Sequence, residues 1–272
     1  MMTLSFAFVF GLLLGSFLNV VILRIPKDES VVFGGSHCTT CNTALKPWHN
    51  IPLFSWLFLR GKCSFCKAKI SIQYPIIEFI SGLILVILVN KYGVNLPILF
   101  IYLSFLMLLA LSMIDFKYKM VPDSLNLLAI LFAIIGAWSI GGAFNNLQNA
   151  LLFSGGFTLL RFSLSYLLTS SAHKQANKNK TSWTRHYQIY PFIEAMGEGD
   201  IMVAATMGAL LGVELTLVAI FLSAVLALPV MLAVQNKSAE EQRVPFVPFL
   251  ALATFIVYIL DTPIMAYIEA NY

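Results

Sequence analysis

Four cysteines and two aspartates are the residues of this chain whose types and spacing could do chemistry. Cys38, Cys41, Cys63 and Cys66 form two CxxC pairs with 21 residues between them. Two such knuckles at this distance have the spacing of a tetrahedral zinc site, each turning two thiolates toward one ion. Four thiolates fill the coordination sphere of zinc and leave no position for water. The expected role is therefore structural: the ion folds a loop that has little core of its own. The alternative, two disulfides, is disfavoured in a reducing cytoplasm. His37 and His49 flank the cysteines. Either could replace a ligand, but a solvent-facing role is expected.

Asp115 closes the apolar run LLALSMID, and Asp200 opens another in MGEGDIMVAATMGALLG. An acid at a helix C-terminus opposes the macrodipole, whereas one at an N-terminus is favoured and can accept backbone N–H groups. If the two meet, their different settings suit a general acid and base pair. The blander alternatives are an N-cap at Asp200 and an interfacial acid at Asp115 beside Lys117 and Lys119. Asp123, after Pro122, is expected to be the N-cap of the following helix. Gly197 and Gly199 permit unusual backbone dihedrals and close approach of a substrate strand. A lone GxGD is a weak motif.

The elements that must position these groups are apolar helices. Of the 272 residues, 59% are hydrophobic and 11% charged, with a mean hydropathy of +0.83. Soluble domains are nearer ~25% charged. The expected fold is an all-α polytopic membrane protein with about eight spans, near 3–23, 75–90, 97–114, 124–142, 147–169, 201–212, 214–234 and 247–268. The first run has no basic residue before it and is expected to be a retained helix, not a cleaved signal. Lys and Arg test the count. The linkers after odd-numbered spans hold fifteen and those after even-numbered spans one, Lys91. Cytoplasmic loops are the Lys/Arg-rich ones, so both termini are expected outside and the odd linkers in the cytoplasm. This accounts for the net charge of +4 without a nucleic-acid partner. One basic residue, Arg161, falls inside a span; a structural ion pair or a snorkelling side chain is the expected role. Gly11/Gly15 and Gly208/Gly212 are small-residue pairs suited to close helix packing.

In order and spacing, GSFLNVVILRIP (15–26), CTTC, NIPLFSWLFLRGKCSFCKAKIS, YPIIE (74–78), IDFKYKMVPD, EAMGEGD and VPFVPFLA (244–251) resemble the bacterial type IV prepilin peptidases, also called leader peptidase/N-methyltransferases. The likeness runs over nearly the whole chain. It implies a single polytopic membrane domain over 1–272, with a cytoplasmic four-cysteine zinc loop at 24–74 between the first two helices and an aspartic peptidase core at 113–272. It also implies that Asp115 and Asp200 are the catalytic pair, supported by Gly197 and Gly199. The implied substrates are prepilins, or pseudopilins of type II secretion, cut after a glycine at the cytoplasmic face of the bacterial inner membrane. Many members then methylate the new N-terminus with S-adenosylmethionine. Relatives associate that step with the cysteine loop and the segment 74–82, which makes Glu78 and Gly82 candidate cofactor contacts; Glu78 could equally be a structural acid. Departures from the family pattern are Glu198 in GxGD, Met202 where lysine is common, Val247 for a glycine, and Asn42 and Lys67 where glycines often follow each CxxC. The end of the loop 170–199 could guide substrate toward Asp200. The competing readings are a non-enzymatic zinc-loop scaffold of a pilus or secretion assembly and a proton-relay transporter. The latter would place acids deeper in the spans.

Overall fold

A computed structural model describes residues 2–138, 142–178, 196–234 and 244–271, with only the backbone of Pro47 and of 172–178. Among the described residues the regular structure is helical: α1 (Met2–Arg24), α2 (Phe54–Phe58), α3 (Gln73–Tyr92), α4 (Leu96–Tyr118), α5 (Asp123–Gly136), α6 (Ala143–Lys178), α7 (Glu198–Val234), α8 (Val247–Ile259) and α9 (Asp261–Asn271). One short 3₁₀ turn (Ile25–Lys27) follows α1, and another (Pro47–Asn50) lies between the two cysteine pairs. The hydrophobic all-round sequences of α1, α3, α4 and α7 leave no polar face to mark solvent.

Each of the eight expected apolar segments contains helix among the described residues, but they are not all of membrane length. Five helices (α1, α3, α4, α6 and α7) are long and apolar enough to cross a bilayer. The pair α8–α9 would make a sixth, although a 76° bend separates its two parts, so the run expected over 247–268 is a broken one. Lys91 Nζ and Tyr92 OH hold that break from α3. The lysine donates to the Ile259 carbonyl (2.6 Å) and pairs with Asp261, and the tyrosine donates to the Tyr258 carbonyl (2.9 Å). The carbonyls freed by the bend thus keep partners, as backbone in an apolar environment must. The α5 helix is shorter, at 14 residues.

The segments expected at 201–212 and 214–234 form one element, α7, interrupted at Gly212 with φ 74° and ψ −173°. Only glycine adopts such a conformation without steric cost. Thr216 Oγ1 donates to the Met207 carbonyl (3.2 Å). Nine residues of straight helix would span roughly 13 Å, so the chain folds sharply back at this glycine. Gly208 behaves differently from its expected partner: a Cβ there would lie 2.6 Å from the Asn149 carbonyl of α6.

Packing runs α1 on α3, α3 and α1 on α4, α4 on α5 and α8, and α7 against α5, α6 and α8. The backbones of α1 and α3 approach closely. A Cβ on Gly11 would meet Gly82 Cα at 2.7 Å, and one on Gly15 would meet Glu78 Cα at 2.8 Å. Small residues allow this backbone proximity, which in lipid replaces hydrophobic driving force with dispersion. Ser81 Oγ, buried in the same crossing, donates to the Gly11 carbonyl (2.7 Å). The core centres on α4, with Ile101, Tyr102, Leu108, Leu111 and Ile114 essentially inaccessible.

Candidate active site and metal centre

Asp115 lies in the last turn of α4 and is buried. Its backbone carbonyl is satisfied by the N–H of Lys119, which caps the helix in the left-handed conformation. Its side chain reaches the start of a distant helix: Oδ2 accepts from the backbone N–H of Val247, the first residue of α8, at 3.2 Å. Asp115 therefore opposes the dipole of its own helix but sits at the favourable, N-terminal end of another. The sequence expectation had only the first half of that balance.

Asp200 is the third residue of α7, inside the helix and not at its N-cap. Its carboxylate lies near the backbone N–H of Gly197, the residue that precedes the helix, where the N3 side chain of a capping box sits. Asp200 is half-buried and lies close enough to Asp115 for the two carboxyls to interact electrostatically.

The glycines of GEGD have separate roles. A Cβ on Gly199 would fall 2.4 Å from Val121 Cβ, with both methyls at 2.7 Å. Val121 belongs to the short connection between the helix that carries Asp115 and α5. Gly199 thus lets the first turn of α7 press against the linker that follows Asp115, which brings the two acids to one place. The expected close approach is therefore to the protein's own chain. Gly197 has no such neighbour; a Cβ there would meet only Asp200 Oδ2, at 3.7 Å. Glu198, the residue between them, pairs with Arg161 of α6 at 3.0 Å. The departure in GxGD and the basic residue inside a span therefore account for each other. With the Glu198 side chain 81% exposed, the pair contributes at most ~1 kcal/mol.

Asp123 does not cap α5. Pro122 occupies the N-cap without a side-chain bond, and Asp123 is the first helical residue, where its charge still favours the N-terminus. Most of the loop proposed to guide substrate, residues 179–195, lies outside the described residues.

The four cysteines converge. Their sulfurs all lie within 4.8 Å of one another, and Cys38 and Cys66 are 3.8 Å apart. A tetrahedron with ~2.3 Å metal–sulfur bonds has edges of about 3.8 Å. The two knuckles share one construction. Cys38 N–H donates to the Thr43 carbonyl and Asn42 N–H to the Cys38 carbonyl; Cys63 N–H donates to the Ala68 carbonyl and Lys67 N–H to the Cys63 carbonyl. Asn42 (φ 54°) and Lys67 (φ 60°) are both left-handed, which is why glycine suits these positions. Backbone N–H groups of Cys41 and Thr40 hold the Cys38 thiol below its usual range, and those of Cys66 and Phe65 do the same for Cys63. The Thr43 side chain and backbone lower Cys41. At Cys66 the Ala68 N–H also acts to lower, but burial and the three neighbouring sulfurs outweigh it and push the thiol up to about 11. The set is built to favour thiolates, with one proton held back by crowding. Neither histidine joins it: His37 bonds the Gly35 carbonyl, and His49 stacks edge-on to Trp48 and Phe65.

Glu78 and Gly82 both make contacts within the protein. The Glu78 carboxylate accepts the backbone N–H of Leu53 (2.8 Å) and bonds Ser16. A Cβ on Gly82 would strike the Phe8 ring at 2.8 Å. Glu78 is a strut between the cysteine loop and the bundle, and Gly82 is a packing contact between α1 and α3.

Residues 100–232, which carry both aspartates, match the model of the type IV leader peptidase family. A prepilin leader peptidase/N-methyltransferase from Stutzerimonas stutzeri is 33% identical, covering 96% of this chain and 91% of the relative. The chain belongs to the type IV leader peptidase family. Proteins of the same description from Neisseria gonorrhoeae (31% identical; 93% and 88% covered) and Pseudomonas putida (30%; 97% and 92%) are similarly alike. Residues 9–92, which hold the four cysteines, match the bacterial peptidase A24 N-terminal domain. No solved structure matches. Within this leader peptidase family member, sequence reasoning missed three partners. These are Val247 for Asp115, Val121 for Gly199 and Leu53 for Glu78. Val247 had a usable signal, the VPFVPF motif, in which proline pre-sets a helix start.

Proposed function

We propose that this chain is a membrane-embedded aspartic endopeptidase that removes the basic leader of type IV prepilins or pseudopilins. It would cut after a glycine at the cytoplasmic face of the bacterial inner membrane, with both termini outside. The observation that carries this reading is the convergence of Asp115 and Asp200, two acids 85 residues apart in sequence, at the ends of two helices. One carboxylate takes a proton from water as it attacks the scissile carbonyl. The other gives a proton to the departing amine. The two act as one titrating unit, with no separate role fixed to either. The buried Val247 N–H holds the carboxylate of Asp115, and the Gly197 N–H lies near that of Asp200. Catalytic groups need that preorganisation.

The four thiolates would hold zinc as a closed structural site, with Cys38, Cys41, Cys63 and Cys66 as its ligands. N-methylation of the new N-terminus from S-adenosylmethionine is supported by the names of the relatives. Glu78 and Gly82 are the candidate cofactor contacts, and no step is assigned to them. The scaffold alternative explains the cysteines but gives no reason for two converged acids.

The test is incubation of the purified protein in lipid with a prepilin and labelled S-adenosylmethionine, followed by mass analysis of the product N-terminus. A product beginning one residue after the leader glycine supports the peptidase. A methyl group on its amine supports the transferase. Uncut substrate in active-site-competent membranes contradicts the first, and cut but unmethylated product contradicts the second.

A further inference from the structure

The cysteine loop has a surface that neither the metal cluster nor the aspartates use. From residue 30 to residue 77 the chain carries no acid, and it carries Lys46, Arg60, Lys62, Lys67 and Lys69. All five are exposed. Even against the two negative charges of a divalent ion held by four thiolates, three positive charges remain. Beside them stand side chains that a water-facing loop would not present. Phe54, Leu57 and Phe58 of α2 are 57%, 63% and 82% exposed, and Phe33 is 80% exposed. The short helix is sided. Trp56 turns inward, its Nε1 donating to the Ile70 carbonyl (3.3 Å) and its ring covering Gly61, while the other three point away.

The depth of this helix decides what covers it. Leu53, just before α2, is bonded to Glu78, and Glu78 lies level with Gly15 and Ser16 of α1. Ser16 is eight residues from the end of α1 at Arg24. Eight residues of helix rise about 12 Å. The loop therefore does not stand off the bundle. It dips back alongside the helices, to a level below the end of α1 and within the length of the membrane-spanning pair.

We propose that the cysteine loop is docked on the bilayer, with Phe54, Leu57 and Phe58 wedged at the headgroup–acyl boundary and the basic residues against anionic lipid phosphates. Apolar side chains at that depth lose water, and basic side chains beside them gain phosphate, which is the composition of an interfacial anchor. A cationic peptide would be repelled by this face. The inference does not depend on the peptidase reading, since it concerns only where the loop rests.

The experiment places the photo-crosslinker p-benzoylphenylalanine at Phe58, Phe54 or Trp56 of the full chain. The protein is reconstituted in bilayers of phosphatidylcholine with or without phosphatidylglycerol, and adducts are identified by mass. Phe6, an exposed residue of α1, is the positive control. Lipid adducts are expected at 58 and 54 and not at 56. Their yield should rise with phosphatidylglycerol. It should fall by about fivefold or more when Arg60→Gln, Lys62→Gln, Lys67→Gln and Lys69→Gln are combined, a factor that even one lost basic contact at an anionic surface carries. Unchanged metal content shows that the variants are folded. Absence of lipid adducts at 58 while position 6 reacts overturns the proposal, as do adducts to a second copy of the chain. Equal yields with and without phosphatidylglycerol overturn its anionic half.

Discussion

Replacing Gly199 with alanine isolates the contact that joins the two acids. The added Cβ would sit 2.4 Å from Val121 Cβ, where carbon atoms normally stay at least ~3.5 Å apart. The shortfall is roughly 1.1 Å, and both partners are fixed: one is backbone-anchored in α7, the other a β-branched side chain in a short linker. The strain of such overpacking is about 1–3 kcal/mol, small enough for a bundle of this size to remain folded. The first turn of α7 must instead move by about an ångström, and Asp200 moves with it. A misplacement of that size costs on the order of 100-fold in rate. Cleavage of a prepilin in membranes containing equal amounts of protein is the assay. Gly199→Ala is expected to lose about two orders of magnitude in kcat/KM, and Gly197→Ala, with its nearest neighbour at 3.7 Å, much less. Val121→Gly, which removes the opposing Cβ, should restore Gly199→Ala in large part, whereas Val121→Ala, which keeps that Cβ, should not. Full activity in Gly199→Ala, or equal losses at 197 and 199, would refute the reasoning.

Three other outcomes follow from the cysteine loop. Lys67→Gly should stabilise it by about 1 kcal/mol, because a left-handed lysine is replaced by the residue that bears no cost there; resistance of the bound metal to chelator measures it, and no change or a loss contradicts it. Metal affinity should rise at least about tenfold per pH unit between pH 6 and 8. The Cys66 thiol is pushed up to about 11 in the metal-free cluster, so loading must displace its proton; a chelator competition with no pH dependence would contradict this. Glu78→Ala leaves the Leu53 N–H without its acceptor and should cost about 1–3 kcal/mol in docking of the loop, seen as faster proteolysis between 46 and 62.

The clustering of the four cysteines was legible because its information is local. Two CxxC pairs state both the ligands and the turns that present them, and the left-handed residues at 42 and 67 lie four positions after the first cysteine of each pair. The helical segments were legible from hydropathy, but their ends and interruptions were not. The fold-back at Gly212 and the break at Leu260 are set by glycine geometry and by Lys91 and Tyr92 of α3, which hydropathy does not register. The site itself was half legible. Charge alternation put Asp115 and Asp200 on one side of a membrane, yet what joins them is tertiary. The donor to Asp115 comes from 132 positions along the chain, and Gly199 is needed because of Val121. Asp123 shows the opposite error: a local propensity that suggested a cap was overridden by Pro122, which took the N-cap position itself. At Glu78 the structural alternative gains a partner that no sequence pattern marks, the backbone N–H of Leu53 in the loop it supports.

The central claim is that Asp115 and Asp200 form one catalytic unit, and the direct measurement is prepilin cleavage by Asp115→Asn, Asp200→Asn and the double variant at matched membrane levels. The account predicts that each single variant leaves the precursor uncut and that the double variant is no worse than either, as residues acting as a unit behave. Continued cleavage by either folded single variant would contradict it and return that aspartate to a purely structural role.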